Sequence, residues 1–118
     1  MKTIIAGSRD ASSESTYEAI GRYPWIITGI VSGLARGPDS YGLTYAEYRN
    51  IPTYTYPADW NKHGKAAGHI RNRQMAENAE ALIAVWDGLS RGTKNMIDEA
   101  KRVGLQIYIY RTDELHNI

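Results

Sequence analysis

The sequence predicts an α/β fold, a three-layer sandwich whose central five-stranded parallel sheet has the strand order 3-2-1-4-5. Strand and helix patterns alternate along the chain with short connections, which favours right-handed crossovers and parallel strands. Residues 3–6, 26–31 and 81–86 are almost wholly apolar, as in central strands, whereas 53–56 and 106–110 alternate between two kinds of side chain, as in edge strands. Placing the alternating strands at the two edges gives this order.

Length and composition set the class of protein. The 118 residues fit a single domain spanning 1–118, which is long enough to bury a hydrophobic core. A net charge of +1 gives no reason to expect general binding to nucleic acid or to a membrane surface. The lack of cysteine excludes disulfides and thiol catalysis. No apolar run approaches the roughly 18 residues of a membrane span, so we expect a cytoplasmic protein.

The helices follow from capping residues and helix breakers. They are predicted over about 13–22, 38–50, 65–78 and 93–103. Ser12 or Ser13 caps the first helix, and Pro38 opens the second. Gly104 ends the last helix as a left-handed residue, and the tail from Thr112 is expected to fray. The longest connection, residues 57–64, is predicted to be a loop.

The predicted strand order also predicts where a ligand would bind. Between the first and fourth strands the connections change direction, and open α/β sheets bind ligands there, beyond the carboxyl ends of the strands. Gly7, Ser8 and Arg9 follow the first strand, and residues 87–93 follow the fourth. The two loops should therefore meet at this point.

The loop after the fourth strand is interpreted as a phosphate cradle. It offers glycines, hydroxyls, a carboxylate and a guanidinium, which belong to Asp87, Gly88, Ser90, Arg91, Gly92 and Thr93. The first amide groups of the following helix add N–H donors and a positive dipole end. The ending Gly-Lys-Ser/Thr of a Walker A loop is absent. An ordinary strand-to-helix turn has a similar composition and is the alternative.

A second glycine-bracketed turn follows the second strand. Its candidate binding residues are Ser32, Gly33, Arg36, Gly37 and Asp39. The glycines permit close approach of the backbone to a ligand. The alternative is that Asp39 only caps its helix.

The predicted helix 65–78 carries two further candidates, Arg71 and Asn72. They either belong to a solvated basic face or turn inward over the ligand. The small side chains of residues 66–68 would let a ligand approach this helix closely. Trp60, in the loop before this helix, could stack on a base or merely anchor the loop. The three histidines, His63, His69 and His116, lack the spacing of metal ligands, so no metal site and no cofactor are expected.

These motifs together resemble the SMF/DprA-LOG (SLOG) superfamily, in particular its small stand-alone proteins related to cpYpsA, which are often phage-encoded. The resemblance covers nearly the whole chain. Its carriers are Gly7-Ser8-Arg9, Ser32-Gly33-x-Ala35-Arg36-Gly37-x-Asp39, Ala58-Asp59-Trp60, Gly64-x-x-Ala67-Gly68-x-x-Arg71-Asn72-x-x-Met75 and Trp86-Asp87-Gly88-x-Ser90-x-Gly92-Thr93. It implies a Rossmann-like sheet that binds a nucleotide or nucleotide derivative, and relatives that commonly self-associate imply a possible homo-oligomer.

The enzymatic branch of that superfamily, the Lonely Guy phosphoribohydrolases, is matched only in part. Gly92-Thr93 is similar to the end of that family's Pro-Gly-Gly-x-Gly-Thr-x-x-Glu loop, and Arg71 is similar to its helical arginine. Asn72 stands where that family has lysine, and Met96 stands where it has the glutamate. A thioether cannot move a proton or stabilise an oxocarbenium-like centre. The resemblance therefore favours binding over cleavage.

We expect a cytosolic sensor or sequestering module for a nucleotide or nucleotide-derived small molecule. One alternative is a hydrolase of the N-glycosidic bond of nucleoside phosphates, with Arg71, Asp39 or Asp87 as catalytic residues. Another is a DNA-processing accessory similar to DprA. The small net charge and the lack of an obvious basic stripe weigh against nucleic acid as a partner.

Overall fold

A computed structural model describes residues 1–113 and confirms the α/β fold. Five parallel strands form one sheet in the order β3-β2-β1-β4-β5, as predicted. The strands are β1 (Lys2–Gly7), β2 (Gly29–Ser32), β3 (Thr53–Thr55), β4 (Ala81–Trp86) and β5 (Gln106–Arg111). The helices are α1 (Ser13–Arg22), α2 (Pro38–Arg49), α3 (Trp60–His63), α4 (Ala67–Glu77) and α5 (Arg91–Arg102), with a 3-10 turn at Gly64–Ala66. The architecture is Rossmann-like.

Strand β1 is the centre of the sheet. Its Ile4 lies opposite Val31 of β2 and Leu82 of β4, which fixes the parallel register on both sides. Successive residues of β1 face opposite layers, because side chains alternate along a strand. Ile4 packs with residues of α4 and α5, whereas Ile5 packs with residues of α1 and α2. The sheet is therefore covered on both faces, and its central strands bury both sides.

The second strand begins later than predicted. Residues 26–28 precede β2, and Ile26 is 79% exposed. The sheet pairing starts only at Gly29, opposite Lys2, because the backbones of Ile26 and Thr28 hydrogen-bond to Met1, which precedes β1. A β-carbon on Gly29 would lie 2.9 Å from the ring of Tyr54, so the glycine allows the edge strand to pack closely.

The connection predicted as a loop over 57–64 contains the short helix α3. The carboxylate of Asp59 accepts a hydrogen bond from the Lys62 amide at 3.1 Å and caps this helix. Gly64, with a φ of +56°, turns the chain into the 3-10 turn, so α4 begins at Ala67 rather than at residue 65.

The last helix begins earlier than predicted, at Arg91, because Ser90 caps it. Gly104 has a φ of +78°, the left-handed conformation expected after this helix. The predicted fraying concerns the tail, and residues 114–118 lie outside the described residues. None of the helices within 1–113 is both long and apolar enough to cross a membrane.

Candidate functional site

Two adjoining cavities lie beyond the carboxyl ends of the central strands. The first has a volume of about 250 Å³ and lies between the end of β1 and the helices α4 and α5. The second, of about 320 Å³, lies between the loop after β2 and the segment that leads into α3. Arg9, Ala35, Trp60 and Arg71 line both cavities. Together the cavities have the size of a small-molecule site.

Most of the predicted site residues border these cavities. The first is lined by Gly7, Arg9, Asp39, Arg71, Asn72, Ser90, Gly92 and Thr93. Gly33 and Arg36 line the second. The remaining residues of the turn after β2, Ser32 and Gly37, are buried beneath it, and Ser8 is buried at the end of β1. The loops that follow three different strands therefore converge, as the switch point requires.

The turn after β2 is closed by buried hydrogen bonds. The carboxylate of Asp39 accepts a bond from the Gly33 amide at 3.0 Å, and the Ser32 hydroxyl donates to the Asp39 carbonyl at 3.1 Å. Gly37 has a φ of +83°, and a β-carbon there would lie 2.8 Å from the Arg9 carbonyl oxygen. Asp39 thus holds the turn rather than only capping α2.

Asp39 is the carboxyl group that lines the first cavity. It is only 4% exposed, and this burial raises its pKa to about 6. The nearby Arg71 guanidinium and the amide of Gly33 act in the opposite direction, because they favour the charged carboxylate. The result is a carboxyl group that exchanges its proton close to neutral pH.

Arg71 lies on the cavity side of α4, as one of the two sequence interpretations requires. Its Nη1 donates to the Gly33 carbonyl at 2.5 Å, and its Nε donates to the Asn72 side chain at 3.0 Å. A β-carbon on Gly33 would lie 2.5 Å from Nη1, so the guanidinium occupies space that only glycine leaves free. Burial lowers the pKa of Arg71, and Asp39 partly restores it.

Asn72 joins α4 to the start of α5. Its amide nitrogen donates to the Asn95 side chain at 2.9 Å and to the Gly92 carbonyl at 3.3 Å. Since the Asn72 side chain also accepts from Arg71, a single buried amide connects Arg71 to Gly92 at the start of α5. Asn72 therefore positions both groups at the first cavity.

The loop after β4 satisfies its own polar groups. The carboxylate of Asp87 accepts from the amides of Leu89 and Ser90, both at 2.8 Å, and these bonds lower its pKa. Ser90 caps α5 through the Thr93 amide at 3.3 Å, and its carbonyl accepts from the indole of Trp86. The Ser90 and Thr93 hydroxyls lie 3.0 Å apart at the first cavity.

Three predicted residues of this loop, Asp87, Gly88 and Arg91, do not line either cavity. The two amide bonds turn Asp87 back onto its own loop, and Asp87 lies with Ser8 at a separate cleft. Gly88 has a φ of +83° and lies against Arg111. Of the residues predicted for the cradle, Ser90, Gly92 and Thr93 line the first cavity.

The cavities concentrate positive charge in a chain that is almost neutral. Arg9, Arg36 and Lys65 line them, and within 1–113 none of these three forms an ion pair. Elsewhere several cations are paired, as Arg22 is with Glu18. Because Asp39 is the single carboxyl group that the described residues contribute to the lining, the cavities favour an anion.

The sequence interpretation left several lining residues out of its predicted site: Ala6, Leu34, Ala35, Pro57, Ala58, Trp60, Lys65, Gly68, His69, Met75 and Met96. The spacing of Gly68, Arg71, Asn72 and Met75 is the i, i+3, i+4, i+7 pattern of one helix face, which was a usable signal. Within the described residues no group of three or more His, Asp or Glu is placed to hold a metal ion, and His116 lies outside them.

Comparison with known proteins identifies a relative from a phage. No family model and no solved structure matches the chain. The Gene 61 protein of Mycobacterium phage D29 is 31% identical over 117 residues, a match that covers 90% of this chain and 93% of the phage protein. The chain belongs to the same protein family as the Gene 61 protein of Mycobacterium phage D29.

Proposed function

We propose that this protein binds a nucleotide or nucleotide-derived anion in the two cavities, and acts in the cytoplasm as a sensor or sequestering module. The observation that carries the proposal is the set of cations without an ion pair in residues 1–113, Arg9, Arg36 and Lys65, around a site that also receives the N-terminus of α5. Phosphate groups bind where free amide groups and a helix dipole meet cationic side chains. The resemblance to SLOG proteins supports the nucleotide class.

The glycines of the helices add support. A β-carbon on Gly92 would have no atom of another described residue within 4 Å, apart from its neighbours in the chain and the backbone of its own helix. The nearest atom to a β-carbon on Gly68 would belong to Trp60, at 3.7 Å. Glycine inside a helix costs about 1 kcal/mol relative to alanine. Since the fold leaves room for a side chain at both positions, the open space is available to a ligand.

Met96 favours binding without cleavage. It is 1% exposed, lines the first cavity one turn after Gly92, and packs in the core with α4. Its thioether offers no proton and no negative charge at this place. The cradle formed by Ser90, Gly92 and Thr93 can hold a phosphate without a neighbouring carboxylate on α5.

A thermal-shift screen tests the proposal. The panel contains nucleoside mono- and diphosphates, dinucleotides and cyclic nucleotides. A ligand at a hundred times its Kd raises the free energy of unfolding by about 2.7 kcal/mol, so at least one class should raise the Tm by several degrees. A wholly flat panel contradicts the proposal.

Gly92→Val gives the matched test of the site. A valine at Gly92 projects into open space at the cradle, so the fold should survive while the ligand-induced shift is lost. Gly21→Val is the control, because Gly21 also lies in a helix with open space around it but outside both cavities. If binding survives in Gly92→Val, the phosphate lies elsewhere.

A second candidate, hydrolysis of the N-glycosidic bond, is favoured by Asp39. A carboxyl group with a pKa of about 6 beside Arg71 could transfer a proton while water adds to the sugar and the base leaves. Incubation with the bound nucleotide should then release free base and ribose 5-phosphate. Loss of both products in Asp39→Asn, with binding retained, would establish this activity.

A further inference from the structure

The three tryptophans of the chain have different environments. The indole of Trp25 donates to the Thr3 hydroxyl at 3.1 Å, and that of Trp86 donates to the Ser90 carbonyl at 3.1 Å. Each of these two rings also packs against an apolar core cluster. Trp60 belongs to neither cluster, is 56% exposed, and donates no hydrogen bond from its indole to the part of the chain that the structure describes.

The indole nitrogen of Trp60 does not hold its loop through a hydrogen bond to the described residues. The loop is held instead by the bond from the Lys62 amide to the Asp59 carboxylate and by the bond from the Gly64 amide to the Trp60 carbonyl. Both bonds involve backbone or Asp59 atoms and neither involves the indole. Indole rings bury large apolar area when they have a structural role. The exposure of this ring therefore needs another explanation.

The position of Trp60 supplies one, because its side chain borders both cavities. The first cavity contains the cradle of α5 and the cations Lys65 and Arg71. The second is bordered by Arg36 and by the apolar side chains of Leu34 and Pro57, while Arg9 and Arg71 border both cavities. Cations border both ends, but the Ser90 and Thr93 hydroxyls at the start of α5 lie only at the first cavity and suit a phosphate, whereas Leu34 and Pro57 lie only at the second and suit a planar apolar group.

We propose that Trp60 is a stacking platform for the base of the ligand, which lies across the second cavity while the phosphate lies at Gly92 and Thr93. This inference rests on the proposed nucleotide-binding function and adds the orientation of the ligand and its need for an aromatic base. A half-exposed indole stacks on any base, since every base offers a π-face. Arg36, at the same cavity, can contribute a cation–π contact to the base.

Calorimetric titration of Trp60 variants tests this orientation. The probes are AMP, GMP, CMP, UMP and ADP, with ribose 5-phosphate as the ligand without a base. Alanine removal of a stacking aromatic weakens base binding by roughly 5- to 150-fold. Trp60→Ala should weaken the binding of the nucleotides by this factor. It should change the binding of ribose 5-phosphate by less than about twofold, because stacking acts only on the base. Trp60→Phe should retain most of the nucleotide affinity.

Tyr48→Ala is the control variant, because Tyr48 is 86% exposed and lies outside both cavities. Equal weakening of ribose 5-phosphate and nucleotides by Trp60→Ala would show that Trp60 only shapes the cavity, and would overturn the inference. Unchanged nucleotide binding in Trp60→Ala would overturn it too, while the proposed function would stand. If the native protein binds ribose 5-phosphate as tightly as nucleotides, no base is recognised and the inference fails. If it binds none of these probes and none of the dinucleotides or cyclic nucleotides of the thermal-shift panel, both proposals fail.

Discussion

The loops after β2 and β4 both lead from a central strand into a helix at the cavities, but they are built in opposite ways. The first is buried and closed, with Gly33 against the Arg71 guanidinium and Gly37 against the carbonyl groups of Ser8 and Arg9. The second is held from outside by Asp87, and a side chain at its Gly92 would project into open space. Glycine is therefore required by close packing in the first loop, whereas in the second it leaves open space.

The closed turn after β2 and the open turn after β4 place different groups at the same pair of cavities. The closed turn fixes Asp39 and Arg71, whose positions depend on buried hydrogen bonds. The second turn places the Ser90 and Thr93 hydroxyls, which lie 3.0 Å apart, at the first cavity. For the proposed anion, the fixed positions of Asp39 and Arg71 would determine its orientation beside Ser90, Gly92 and Thr93. Replacing glycine by alanine should therefore lower the free energy of unfolding in the loop after β2 and raise it at Gly92.

The largest expected effect is that of Gly37→Ala. Its φ of +83° is strained for any residue with a β-carbon, and that carbon would lie 2.8 Å from the Arg9 carbonyl oxygen. Neither backbone segment can yield cheaply, so the free energy of unfolding should fall by about 3 kcal/mol. Urea unfolding measures this loss. A loss under about 1 kcal/mol would show that the closed turn tolerates a side chain and would break the comparison.

Asp39 should give the closed turn a distinct pH dependence. Its pKa of about 6 in the folded state lies above the ordinary 3.8, so the folded state binds more protons between these values. Stability from this group is therefore fully present below about pH 4 and is lost as the pH rises through 6, by about 3 kcal/mol. Arg71 faces the same carboxyl group and limits this loss.

Asp39→Asn isolates that contribution from those of the other acidic groups. The amide keeps the size of the side chain and an acceptor for the Gly33 amide. Unfolding free energies of both proteins should be measured at pH 4, 5, 6 and 7. The native protein should exceed the variant in free energy of unfolding by a larger amount at pH 4 than at pH 7. A difference that does not vary with pH would mean that Asp39 titrates normally.

Gly33→Ala should act mainly on Arg71. The β-carbon would lie 2.5 Å from Nη1, and the far end of a flexible arginine side chain can move away at low cost. The free energy of unfolding should therefore fall by only about 1 kcal/mol, whereas nucleotide affinity should fall about tenfold because the guanidinium leaves its place. Titration of Gly33→Ala, Arg71→Ala and the double variant separates the effects. Fully additive losses would show that Gly33 does not act through Arg71.

The fold was predictable because burial determines which strands are central. The apolar runs of β1, β2 and β4 and the alternation in β3 and β5 predicted the strand order that the sheet has. The start of β2 was not predictable, because Ile27 is buried without belonging to the strand. The helix α3 was missed since four residues are too few to show a helical period.

The site was predictable only as far as topology determines it. The loops at the strand ends had to meet, and they do. Which face of α4 points to the cavities decides that Arg71 lies over Gly33. Tertiary packing determines this orientation, and the local sequence pattern does not predict it. The position of Asp87 away from both cavities was not predictable, because composition does not show that its carboxylate binds the amides of its own loop.

The smallest expected change in stability is that of Gly92→Ala, which tests the open turn after β4. The methyl group meets no other described residue outside its own turn, and alanine is the better helix former, so the free energy of unfolding should rise by about 0.5 kcal/mol. Gly21→Ala, in a terminal turn of α1, should give a similar rise because it has the same open surroundings. Only Gly92→Ala should also weaken nucleotide binding, by a few-fold, since Gly92 borders the cradle and Gly21 does not. Equal binding in both variants, measured by calorimetry, would show that the space beside Gly92 is empty for reasons unrelated to a ligand.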